Sequence, residues 1–151
     1  MKQSITGIVI GIILLFVSSI ILPVYFMGII TYRDDLNKCQ VAARNFVDMI
    51  IDNGQINDRA ISDLNLQLAS CTSTFSYRYY REEKVIQPVA GGGYETTWMH
   101  VECDENTQWN SGDIVTIVIE QEGINLYQRI AHLMPGASFT TQEIRMSGMV
   151  R

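Results

Sequence analysis

From Ile5 to Tyr32 the chain carries no charged residue: ITGIVIGIILLFVSSIILPVYFMGIITY. A helix that is apolar on every side must be enclosed by a large protein core or by lipid, and what remains of a 151-residue chain is too small to enclose one of this length. A bilayer core takes about 20 apolar residues in helical form, so the run spans it with tilt or with its last turns outside the lipid. A cleaved secretory signal would have an apolar core of about 7–15 residues and a small-residue cleavage site close behind. Here Ser18 and Ser19 are followed at once by Ile20, Ile21 and Leu22. Residues 1–32 therefore read as a transmembrane anchor, and residues 33–151 as one domain of ordinary size.

Charge divides the chain at the same place. All 16 Asp and Glu residues and ten of the 11 Lys and Arg residues follow Tyr32, so the net charge of −5 belongs to the domain. No basic run or basic–aromatic patch is present, and a mildly acidic surface repels phosphates; nucleic acid is excluded as a primary partner. The positive-inside count sets Lys2 against Arg33, Lys38 and Arg44, which leans towards a cytoplasmic domain.

The first helix does not stop at the membrane border. Leu36, Cys39, Ala43, Phe46 or Val47, and Ile50 recur at spacings of three and four, with Arg33, Asp34, Lys38, Arg44 and Asp48 between them. That is an amphipathic stripe in need of a packing partner. Asn53-Gly54 supplies the stop, and a helix from Ile5 to Asp52 would be about 70 Å long. Pro23 lies within the apolar half, where it removes a backbone hydrogen bond and should kink or open the helix.

Beyond this point the patterns alternate between helix and strand. Asp58–Ala69 reads as a second helix, capped by Asn57 or Asp58. Thr74–Lys84 is a strand with Phe75, Tyr77 and Tyr79 on one face. Val85–Gly93, with Pro88 and three glycines, is a turn or loop, and Tyr94–Cys103 is the return strand. Asp113–Gln121 is the clearest strand, apolar enough for burial on both faces. Asn125–Leu133 is a short helix closed by Pro135-Gly136, and Phe139–Val150 is a last strand. The expected fold is α+β: a long N-terminal transmembrane helix continuing into a domain with an antiparallel sheet of about four strands.

Chemistry has few candidates. His100, Glu102, Cys103, Asp104 and Glu105 form the one cluster of potential metal ligands. A zinc or calcium site needs further convergent ligands, and the plain alternative is a strand end running into an acidic loop. Gly91-Gly92-Gly93 lacks a following Lys-Ser or Lys-Thr and reads as a hairpin tip, not a phosphate cradle. His132 has no neighbouring nucleophile, and neither GxSxG nor HExxH occurs. No enzyme activity, resident metal, cofactor or small-molecule substrate is expected. Tyr77, Tyr79, Tyr94, Trp98 and Met99 fit either cross-strand packing or a binding surface. Of the three cysteines, Cys71 and Cys103 close predicted elements and are the candidate disulfide, which would imply an oxidising compartment. Cys39 lies on the apolar stripe and reads as a small core residue.

Three stretches together resemble the pilin-like TadE family of tight-adherence pilus systems, in its divergent Gram-positive form. They are YRDDLNKCQVAARNFVDMI, which carries the apolar helix into a polar one; GDIVTIVIEQEGINLYQRIAHLMPG, a late strand followed by a short apolar segment; and the closing TQEIRMSGMVR. The resemblance implies a pilin-like or pseudopilin-like structural subunit of a cell-surface pilus or secretion apparatus, with the domain outside the cell membrane. Its partners would be the lipid bilayer and other pilin-like subunits or further copies of itself. Gly7, Gly11, Ser18, Ser19 and Gly28, with Pro23 among them, provide close-approach positions for helix packing. Such pilins usually have a leader cleaved after Gly and a Glu five residues into the mature helix. At that spacing Gly7 and Gly11 are followed by Ile12 and Phe16, and the first Glu is Glu82. The chain is then an atypical subunit that stays in the membrane, or one whose leader precedes Met1. A membrane-anchored binding domain that does not polymerise is the second expectation; an anchored enzyme or metal protein is the third.

Overall fold

The computed structural model describes residues 5–103, 107–133 and 141–151, the side chain of Thr6 excepted. The first helix, α1 (Ile5–Asn53), is continuous through Pro23. It ends where the sequence places a stop: Gly54 adopts φ 65°, and its N–H bonds the Ile50 carbonyl at 2.8 Å. A residue with a Cβ pays a steric penalty in that left-handed conformation.

The chain divides into two compact units, Met1–Asp34 with Ile124–Thr140, and Asp35–Gly123 with Thr141–Arg151. Within this first unit the short helix α3 (Leu126–His132) is started by a capping box. The Asn125 side chain accepts from the Gln128 N–H, and the Gln128 side chain accepts from the Asn125 N–H, both at 2.9 Å. These bonds satisfy donors that a helix start otherwise leaves open.

In the second unit α2 (Asp58–Ala69) is capped by the Asn57 side chain, which accepts from the Ala60 N–H at 2.8 Å. Four strands follow: β1 (Thr74–Pro88), β2 (Tyr94–Glu102), β3 (Ile114–Glu122) and β4 (Glu143–Met149). They form one antiparallel sheet in the order β2-β1-β3-β4. The α+β class and the four antiparallel strands agree with the sequence reading. Residues 134–140, which include the Pro135-Gly136 stop and the expected start of the last strand, lie outside the described residues.

The register sorts the sheet into two faces. Tyr77, Ile119 and Ile144 lie side by side, as do Tyr79, Ile117 and Met146. These pack on Cys39, Ala42, Ala43, Phe46, Val47 and Ile50 of α1 and on Ala60, Leu64 and Leu68 of α2. The other face carries Tyr80, Thr116 and Ser147 in one row and Arg78, Val118 and Arg145 in the next. Val118 is nonetheless buried, between Arg78 and Arg145 on the neighbouring strands. The apolar run of β3 is therefore buried on both faces, as its composition predicts. It is covered by an apolar core on one face and by a polar ladder on the other: Thr116 and Ser147 hydroxyls meet at 2.8 Å, and Arg145 reaches Glu82 at 3.1 Å.

β1 extends four residues past the expected end, to Pro88. Its first half pairs with β3 as far as Glu82, and its second half pairs with β2 alone as far as Pro88. Proline is tolerated at such a strand end because it need not donate to the ladder.

β4 runs so close over α1 that a Cβ on Gly148 would stand 2.6 Å from both Val47 Cγ1 and Ile51 Cδ1. Overpacking of this kind costs about 1–3 kcal/mol. Gly148→Ala is expected to destabilise the detergent-solubilised chain by that amount, read as a lowered midpoint in thermal or denaturant unfolding.

Candidate functional site

The largest exposed feature is the N-terminal half of α1. Its most apolar window has a mean hydropathy of 2.8 and no buried residue, and the helix is long and apolar enough to cross a membrane. Four consecutive residues, one full turn, are exposed, Ile13 at 55%, Leu14 at 63%, Leu15 at 71% and Phe16 at 67%, so the apolar surface goes all the way round. Three hydroxyls on this helix bond back to it: those of Ser18 and Ser19 donate to the carbonyls of Leu15 and Phe16, at 3.0 and 2.8 Å. Thr31 donates to the Met27 carbonyl at 2.9 Å. In hydrocarbon such local bonds remove the cost of an unpaired hydroxyl.

The residues expected to mediate helix packing divide accordingly. Gly7 and Gly11 have open space where a Cβ would stand; Ser18, Ser19 and Pro23 are exposed on the same helix. Gly28 is different. A Cβ there would lie 2.2 Å from Tyr127 Cβ, so this glycine admits α3 against α1 within one molecule. Tyr127 then sits between Tyr25 and Tyr32, with ring centroids 6.3 and 5.3 Å away.

The three cysteines are all thiols. Cys71 and Cys103, the candidate disulfide, both pack against the core, and the Cys103 thiol lies 3.3 Å from the Val101 carbonyl. Cys71 lies against Cys39, with the sulfurs 3.9 Å apart. Cys39 is fully buried, and burial first, then Cys71 beside it, then the Asp35 carboxylate, push its thiol from 9.0 up to about 12.

Asp35 is the residue whose role the sequence reading missed. It is 1% exposed, and its two carboxylate oxygens accept from the backbone N–H groups of Thr72 and Ser73, at 2.9 and 3.0 Å. Charge-assisted bonds of this kind hold the segment between α2 and β1 against α1. Its spacing from Tyr32 and Cys39, three and four residues, places Asp35 on the buried stripe; that was the available signal.

A second missed cluster centres on Arg81. Its guanidinium donates to the Gln108 carbonyl at 2.8 Å, pairs with Glu83 and, at 3.7 Å, with Asp113, and lies 6.0 Å from the centre of the Trp109 ring. Glu83 is two residues along the same strand, whereas Gln108, Trp109 and Asp113 come from a separate segment that only folding joins, so local sequence offers no sign of them.

The remaining candidates are placed as follows. His100 and Glu102 share a face of β2, and the His100 ring lies 4.7 Å from that of Tyr80. Asp104 and Glu105 lie outside the described residues, and among those described no three His, Cys, Asp or Glu side chains gather as metal ligands. Gly91–Gly93 form the hairpin tip, where the Val89 N–H bonds the Gly93 carbonyl at 3.1 Å. Tyr77 and Tyr79 pack on the core, whereas Tyr94, Trp98 and Met99 are exposed on the half of the hairpin that β3 does not reach.

No protein-family model, curated protein or solved structure matches the chain.

Two outcomes follow from these contacts. Gly28→Ala drives a methyl into Tyr127 and is expected to loosen α3, read as faster proteolysis within residues 124–133 while cleavage within β3 is unchanged. For Cys39, the unfolded thiol ionises near 9 and the folded one near 12, so its contribution to stability is complete below pH 9 and is lost as pH rises towards 12. The fully reduced chain should therefore lose stability across that window more steeply than Cys39→Ala, measured by denaturant unfolding at each pH.

Proposed function

We propose that the chain is a membrane-anchored, pilin-like structural subunit that assembles through its apolar N-terminal helix, with the α+β domain on the extracytoplasmic side. The observation that carries this reading is α1 itself. One continuous helix presents an all-round apolar surface in its first half and in its second half supplies core residues beneath a four-stranded antiparallel sheet. This is the arrangement that the resemblance to TadE-like pilins implies.

In the membrane, the apolar half sits in lipid with the hydroxyls of Ser18 and Ser19 already bonded. Tyr25, Tyr32 and Tyr127 cluster near its end, and tyrosines are enriched where lipid meets water. In an assembly, a neighbouring copy replaces lipid along the same surface. Gly7 and Gly11 let backbones approach, because small residues raise van der Waals contact where no hydrophobic gain separates helix from lipid.

A second reading, an anchored binding domain that does not polymerise, is favoured by the exposed hairpin. Ile86 is 62% exposed and Tyr94 81%, on the part of the hairpin where β1 and β2 pair only with each other.

Oxidative cross-linking in intact membranes separates the two. In a chain carrying both Gly11→Cys and Ser18→Cys, assembly through α1 is expected to give a ladder of multimers on a denaturing gel, absent without the added cysteines. Monomer alone, with the protein present in the membrane fraction, would sink the assembly reading and leave the anchored binding domain.

A further inference from the structure

We propose that Cys39 and Cys71 are a dithiol–disulfide pair, which on oxidation covalently clips α1 to the segment that leads into β1. Three observations within the second unit carry it, none of which depends on the assembly reading. The sulfurs are in van der Waals contact at 3.9 Å, from residues 32 positions apart. The backbone on both sides of the pair is already held, because Asp35, one helical turn before Cys39, accepts from the N–H groups of Thr72 and Ser73, immediately after Cys71. The pair is also open on one side only. Cys39 is fully buried, whereas Cys71 is half-buried and lines a surface cavity of about 330 Å³ with Asn65, Ala69, Thr72 and Phe75.

This asymmetry orders the chemistry. The oxidant is a small-molecule or protein disulfide that reaches Cys71 through the cavity. The Cys71 thiolate attacks one of its sulfurs, forming a mixed disulfide and releasing the first thiol. The Cys39 thiolate then attacks the Cys71 sulfur, forming the internal disulfide and releasing the second thiol. The two protein thiols lose two hydrogens in all, and the oxidant disulfide is reduced to two thiols. Closure draws the sulfurs from contact to a bond of about 2.05 Å, a movement that side-chain rotation supplies while Asp35 holds the backbone. The second step is the slow one: burial disfavours the Cys39 thiolate, so the rate of closure rises with pH.

The test uses the purified full chain in detergent, incubated with an excess of oxidised over reduced glutathione at pH 8.5 until its mass is constant. It is then alkylated, digested and analysed by mass spectrometry. The expected product is one linked peptide pair joining Cys39 to Cys71, with Cys103 alkylated. The same link should form in Cys103→Ser. Oxidation should raise the unfolding temperature of the native chain and of Cys103→Ser, and leave that of Cys71→Ser unmoved. Recovery of all three cysteines as alkylated thiols, or a bridge that includes Cys103, would overturn the proposal. Should Cys71→Ser fail to fold, the linked peptides from the native chain and from Cys103→Ser decide the matter alone.

Discussion

Between Ile5 and Ile30, seventeen large apolar side chains of α1 are exposed. Burying one such side chain is worth about 1.5–3 kcal/mol, so leaving this surface in water costs on the order of tens of kcal/mol. The net stability of a folded domain is only about 5–15 kcal/mol. The environment of α1 therefore decides what the rest of the chain can do, and a lipid bilayer or a bundle of like helices are the two surroundings that relieve the cost. Hydroxyls bonded back to their own helix, and glycines in place of polar interior residues, are what such surroundings demand.

The second half of the same helix obeys the opposite rule. Here one stripe is apolar and the other charged, and the sheet and α2 cover only the stripe. Asp35 lies where this stripe begins, a carboxylate at a buried position. Burying a charge is costly unless it is hydrogen-bonded, and two backbone N–H groups meet that need. Those N–H groups belong to the turn that follows α2, so one side chain both satisfies its own charge and fixes where β1 starts. Cys39, a turn further on, faces the same turn, so its sulfur meets that of Cys71.

What the sequence made legible were the features written in local pattern. The stop at Asn53-Gly54, the bounds of α2, the alternation of Phe75, Tyr77 and Tyr79, and the doubly buried run of β3 are all set by residues within a few positions of one another. What it concealed were pairings over distance. The partner of Cys71 depends on which strand lies against which helix, and two elements of similar period gave no means of choosing Cys39 over Cys103. Pro88 drew the end of β1 inwards, because proline is excluded from central strands; only the register shows that this half of β1 has a single neighbour. Gly28 has the same composition signal as Gly7 and Gly11, yet it is filled by Tyr127 of the same molecule.

That last contrast bears on how this helix would pack against a second copy. Small residues in an apolar helix mark places where something comes close, but not what comes close. At Gly28 the close approach is already taken by α3, and the contact surface left open on α1 is the portion carrying Gly7, Gly11, Ser18 and Ser19. Neighbouring copies would therefore meet nearer the N-terminus than the full apolar run allows, along a surface without a single charge. With no charge from Ile5 to Tyr32, register between copies would depend on shape: on where the glycines let one backbone settle against the next.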